Sequence, residues 1–310
     1  VQYGGSGRQM TLLRDHSKGA QKITVDCSPF DFLHGNTYIN SFSFMQSHPQ
    51  AAPKQEAALD IETIILLLSI GLFGGVWNAI AGGATLFTFP ALIYVGLPPV
   101  VANATNYLAL LPSNAAALPA YRQELHQIGR AIIPLLVVSG LGAILGSLLL
   151  LVSDPAFFER LIPFLILIAT GLFAFGLQLR AFIFRAAGDL KGAQFIYAFL
   201  FVASIYGGYF GAGLGIILLA IAQLLGFTDF NTANSVKNLL ATSFTLLSII
   251  VFGIGGLIAW PEAGVMMIGS TVGGYTGGRL AKCVNDTYLK TIVIVFGLTL
   301  SIIYFIRQFA

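Results

Sequence analysis

Charge is what this chain lacks. Only 9% of its residues are Asp, Glu, Lys or Arg and 56% are hydrophobic, against roughly 25% charged in an ordinary soluble domain. That excludes a soluble globular domain and makes the bilayer the solvent. The net charge of +3 suits loops at an anionic membrane surface and is too small for a nucleic-acid interface. Cysteine is nearly absent: Cys27 and Cys283 lie in regions of unlike character, so neither a disulfide framework nor a thiolate metal site is implied. Three of the four histidines, His16, His34 and His48, sit in the first sixty residues without metal-ligand spacing. His126, in a loop, is the fourth. There is no His-Glu-x-x-His zinc motif, no Ser/His pair and no pair of membrane carboxylates, so an intramembrane enzyme is the weakest reading and no catalytic residue is assigned. A phosphate-binding loop of the ATPase type is also missing, which leaves a gradient or the solute itself to drive any transport. No metal or cofactor is expected.

What the chain has is long apolar runs interrupted by glycine. Residues 1–60 are polar and read as a disordered or weakly ordered tail; 61–180 and 195–310 are membrane sequence, joined by a basic linker at 181–194. Between Glu62 and the prolines at 98 and 99 there is no charge. That run is longer than the ~20 residues one span needs, yet too short for two spans and a loop. Gly74, Gly75, Gly82 and Gly83 divide it, so a broken or re-entrant pair of helices is expected, followed by a segment from Val100 to Tyr121 with Asn103 and Asn106. Two ordinary spans are expected at Ala131–Val152 and Leu161–Leu179. The same order then returns: a glycine-broken stretch from Phe195 to Gly226, a polar segment from Phe230 to Gly253, and spans near Glu262–Leu280 and Leu289–Ile306.

The repetition extends to residues. A shift of 131 positions lays Gly82, Asn103, Gly142 and Gly146 on Gly213, Asn234, Gly273 and Gly277, which points to a duplicated transporter fold. If each broken stretch returns to its own side, Arg122, Arg130, Arg180, Arg185, Lys191, Arg279, Lys282 and Lys290 share one face against Arg160 and Arg307. The positive-inside rule prefers that arrangement, with the halves inverted about the membrane plane. The expected fold is therefore all-α and polytopic: two homologous, inverted repeats with glycine-broken or re-entrant segments, about 8–10 membrane segments in all.

Lys237 is the residue that demands a reason, because no other charge follows it until Glu262. An ammonium within the bilayer costs at least ~2.5 kcal/mol on the mildest scales and marks a functional site by default. The plainer reading is a lysine that snorkels to water from the start of its helix, just after Asp229. If it faces a cavity, it is the counter-charge for an anion. The breaks at Gly82–Gly83 and at Gly211 and Gly213 would then offer N–H groups at half-helix starts, and Asn103, Asn106, Asn234 and Asn238 neutral donors. For the asparagines the plainer reading is glue between helices.

The strings GGVWNAIAGGATLFTFPALIYVGLPPVVANATN and GGYFGAGLGIILLAIAQLLGFTDFNTANSVKNLLA, then GLIAW and GSTVGGYTGGRLAK, resemble the two halves of the sulfite exporter TauE/SafE family, also called the toluene sulfonate uptake permease family. The likeness covers residues 62 to 308. It implies a multi-pass secondary carrier of the plasma (inner) membrane for a small anion such as sulfite, a sulfonate or another oxyanion. Trp77 and Asn78 depart from the family's glycine-only signature in the first half, which leaves the substrate more open. A passive anion channel is the alternative, without a legible ring of like charges to support it. The partners implied are the small anionic solute and the lipid bilayer, with no nucleic acid; a homo-oligomer is left open, as are direction and coupling ion.

Overall fold

In the computed structural model the described residues are 2–3, 9–13, 22–26 and 59–309 apart from 81, 177, 179–180, 183–184, 186–192, 228 and 281–285. The chain divides into two units, Val1–Pro49 and Gln50–Ala310. In the first, three short strands pair antiparallel in chain order: β1 (Gln2–Tyr3), β2 (Gln9–Leu13) and β3 (Lys22–Asp26). Ile23 and Val25 alternate with Lys22, Thr24 and Asp26 in β3, the period of two that suits a strand. Both cysteines, His16, His34, His48, Arg180, Lys191 and Lys282 lie outside the described residues.

In the second unit every described regular element is a helix. Its first half runs α1 (Ile61–Ile80), α2 (Thr85–Tyr94), α3 (Pro99–Ala117), a short α4 (Arg122–Ile128), α5 (Ile133–Val152) and α6 (Pro155–Ala174). The second half runs α7 (Ala193–Tyr209), α8 (Leu214–Leu224), α9 (Phe230–Ile254), α10 (Trp260–Leu280) and α11 (Asp286–Phe309). Four helices among the described residues are long and apolar enough to cross a membrane alone: α1, α5, α6 and most of α9. By contrast α2 and α8, at 10 and 11 residues, reach only about 15–17 Å, half of a ~30 Å hydrocarbon core.

One expected span is displaced: the element expected from Leu161 begins at Pro155. Glu159 and Arg160 lie in the second turn of this helix, whose start Asp154 caps by accepting from the amides of Ala156 and Phe157 at 2.8 and 3.1 Å. Proline at the first helical position suits that start, since its missing N–H would be an orphan anyway.

Burial is arranged for lipid. On α5 the large side chains Val137, Leu141, Leu145 and Leu148 are exposed, whereas Ser139, Gly142, Ala143, Gly146 and Ser147 are buried. Hydrocarbon gives no reason to hide leucine, so helices associate through small residues that let backbones approach. The helix pairs cross between halves in matched fashion: α1 packs on α10 as α7 packs on α5, and α3 on α10 as α9 on α5. The glycines paired by the 131-residue shift do the same work in each. A Cβ on Gly142 would run into the carbonyl oxygen of Phe201 in α7, and one on its counterpart Gly273 into that of Leu72 in α1.

Turns after the short helices also match. The amide of Leu97 bonds the carbonyl of Leu92 past Gly96, and that of Phe227 bonds the carbonyl of Ala222 past Gly226. These are Schellman-type endings, each with its glycine at positive φ.

Candidate functional site

Each half carries a break in a helix, and the two breaks touch. Between α1 and α2 the chain passes through Gly82 and Gly83 at φ +74° and +86°; between α7 and α8 it passes through Gly211 and Gly213, both at +76°. A residue with a Cβ is strained at such angles, so glycine is what lets the chain leave one helix and start the next without a loop. Glycine also permits the contact. A Cβ on Gly82 would lie 2.8 Å from the Cα of Gly215, and one on Gly83 would lie 3.4 Å from the backbone nitrogen of Gly213.

Lys237 reaches this crossing from α9. Its residue surface is 1% exposed, so it does not snorkel out from Asp229, which instead caps α9 by accepting from the amide of Thr232 at 2.9 Å. The ammonium donates to the carbonyl oxygens of Asn78, Ala79 and Ile80 at 3.4, 3.3 and 3.5 Å. The carbonyl of Asn78 also accepts from the amide of Gly82 at 3.1 Å, and the partial negative charge at the end of a helix favours a cation there. All three contacts are longer than the usual 2.7–3.2 Å for a nitrogen donor, so the ammonium is only loosely held.

Around it lies a cavity of about 50 Å³. A buried water needs ~10–15 Å³ by this measure, so the space takes a few waters or one small polyatomic ion. The polar side is formed by Lys237, Asn78, Thr85, Asn106, Tyr107, Asn114 and Thr245; the apolar side by residues including Leu110, Phe210 and Phe244. Gly82, Gly83 and Gly211 line it too. The adjoining starts of α2 and α8 have neither a side-chain cap nor an acidic residue in the first turn; the amides of Leu86 and Phe87 bond the carbonyls of Gly83 and Ala84, and those of Leu214 and Ile216 bond the carbonyls of Gly211 and Gly213, so what these ends offer the cavity is the positive end of each helix dipole.

Several neighbours are committed to structure. Asn78 donates to the Ser113 hydroxyl at 2.8 Å, and Asn106 to that of Thr85 at 3.2 Å. The α7 end is closed by α3 in the way that Lys237 closes α1. Asn103 donates to the carbonyl oxygen of Tyr209 at 2.9 Å and the Tyr107 hydroxyl to that of Gly207. Tyr206 donates its hydroxyl to the carbonyl oxygen of Ala212 at 2.7 Å, bracing the second break.

Of the residues expected at a site, Lys237, Asn106, Gly82, Gly83 and Gly211 meet at the cavity, and Gly213 lies in the crossing just behind it. Asn103, Asn234 and Asn238 are buried but do not line it. Asn234 donates to the Tyr121 hydroxyl at 2.8 Å, while neither amide atom of Asn238 has a partner. Sequence reasoning missed Thr85, Tyr107 and Thr245. Asn78 was noticed only as a departure from a glycine pattern, and was not among the residues expected at the site.

A helical bundle with leucines turned outward, spans joined by broken half-helices and a buried cation at their crossing defines a multi-pass membrane transporter. The family model of the sulfite exporter TauE/SafE family matches residues 67–304, and the chain belongs to that family. A probable membrane transporter protein of Haemophilus influenzae is 33% identical over 256 residues, covering 79% of this chain and 96% of that one. The probable membrane transporter protein ORF9 of a Sinorhizobium species is 27% identical, with 79% and 93% covered. The probable membrane transporter protein YfcA of Escherichia coli K12 is 24% identical, with 76% and 87% covered. No solved structure matches the chain.

Proposed function

We propose that the protein is a secondary carrier of the plasma membrane that moves a small anion, sulfite, a sulfonate or a related oxyanion, by alternating access. The observation that carries this reading is the position of Lys237: a buried ammonium beside a small cavity, loosely held by three carbonyls of α1. An anion entering the cavity gains a charge-assisted bond to the ammonium and the favourable field of the α2 and α8 N-terminal ends. As it binds, the ammonium swings from the α1 carbonyls toward it, which loosens the end of α1 and couples occupancy to the geometry of the break. The two halves rock as inverted units about the crossing, where glycine contacts let backbones slide with no side chain in the way.

Uptake into proteoliposomes tests this. Labelled sulfite or a labelled alkylsulfonate accumulates with the wild-type protein and falls to the protein-free level with Lys237→Met, while the variant stays inserted and monodisperse. Unchanged uptake by a folded Lys237→Met protein removes Lys237 from the site.

A further inference from the structure

Charge counting at the crossing leads to a class of solute. Among the described residues lining the cavity, Lys237 is the one Lys, Arg, His, Asp or Glu. Helix ends contribute little net charge, because each break sets a C-terminal end, about half an elementary charge negative, beside an N-terminal end about half positive. The shift that pairs the two halves places position 106 opposite position 237, and an asparagine stands there. Asn106 lines the same cavity and is 2% exposed. Its amide nitrogen is used on Thr85, and its amide oxygen has no partner among the described residues. One half supplies a cation and the other withholds it.

We propose that the cavity selects monoanions over dianions and that Asn106 is the specificity-determining residue; this rests on the anion-carrier reading above. A monoanion is neutralised by Lys237. A dianion leaves one charge buried without a partner, and burial of an uncompensated charge is the costliest arrangement a protein interior can hold. The free amide oxygen of Asn106 works in the same direction. It accepts from a protonated oxygen or rests against an alkyl group, and it repels a second ionised oxygen.

Methanesulfonate and sulfate have nearly the same shape and differ by one charge, so they are the probes, with apparent thermal stability of the detergent-solubilised full chain as the readout. Wild type is half-saturated by methanesulfonate at a concentration at least about ten-fold below that for sulfate, the order of discrimination one uncompensated charge commands. Asn106→Lys reverses the order. Sulfate binding as tightly as methanesulfonate to wild type, with both lost in Lys237→Met, overturns the charge rule and leaves the anion site standing. Neither probe shifting wild type overturns the anion site and the charge rule with it. Should Asn106→Lys fail to fold, Asn106→Ala takes its place: a narrowed preference for methanesulfonate supports the role of Asn106, and an unchanged ratio overturns it.

Discussion

The crossing of the two breaks makes a prediction that separates backbone strain from packing. Gly82 and Gly96 both sit at positive φ, +74° and +98°. An alanine at either incurs the left-handed penalty, about 1–2 kcal/mol. They differ in surroundings: a Cβ at 96 meets nothing within 4 Å, whereas one at 82 would stand 2.8 Å from the Cα of Gly215. Backbone cannot rotate away as a side-chain tip can, so Gly82→Ala adds an overpacking cost of about 1–3 kcal/mol. The totals are about 1–2 kcal/mol for Gly96→Ala and about 2–5 kcal/mol for Gly82→Ala. At roughly 2–4 °C per kcal/mol for a chain of a few hundred residues, the first loses about 2–8 °C and the second about 4–20 °C. Thermal unfolding of the two variants in one detergent, followed by intrinsic fluorescence, gives the comparison. Transport adds a second reading, since Gly82→Ala pries the breaks apart and lowers uptake in proteoliposomes while Gly96→Ala keeps it. Equal losses of stability and equal uptake in the two variants would refute the claim that the breaks bear on one another.

Three further outcomes follow from the geometry. Gly142→Leu and Gly273→Leu, at matched positions against α7 and α1, each force a helix pair apart; both abolish a monodisperse peak in size-exclusion chromatography, and one tolerated while the other is not would break the equivalence of the halves. Asp154→Ala removes the cap of α6 and lowers thermal stability by about 1 kcal/mol, with uptake unaltered, because Asp154 is remote from the cavity lining. Asn238→Leu replaces a buried amide whose two atoms lack partners by an apolar group of similar size; stability rises by about 1 kcal/mol and the apparent affinity for anion stays within about twofold, whereas a large loss of affinity would return Asn238 to the site.

The breaks were legible because glycine is the one residue whose sequence letter reports backbone freedom. Gly82, Gly83, Gly211 and Gly213 marked where helices stop, and Gly142, Gly146, Gly273 and Gly277 marked where they touch. Lys237 was legible as an anomaly, a charge amid apolar sequence. Its partners were not, since the carbonyls of Asn78, Ala79 and Ile80 belong to the main chain and leave no trace in side-chain identity. Asparagines 103, 234 and 238 looked alike from the sequence. They diverge in the structure because a residue's face on α3 or α9 is set by packing against the opposite half, which local periodicity does not encode. Tyr107 and Tyr206 escaped for a related reason: an aromatic ring signals packing, and only the position of its hydroxyl over the carbonyl of Gly207 or Ala212 reveals a brace.

Everything rests on the ammonium of residue 237 being the group an anion meets at the crossing. A bromine-labelled monoanion, bromomethanesulfonate, diffused into crystals of the full chain would locate that meeting by anomalous scattering. The account predicts a bromine peak in the cavity beside Gly82 and Asn106, with the Lys237 side chain turned from the α1 carbonyls toward the sulfonate. A peak confined to loops or the lipid boundary, with the ammonium still on Asn78, Ala79 and Ile80, would contradict it.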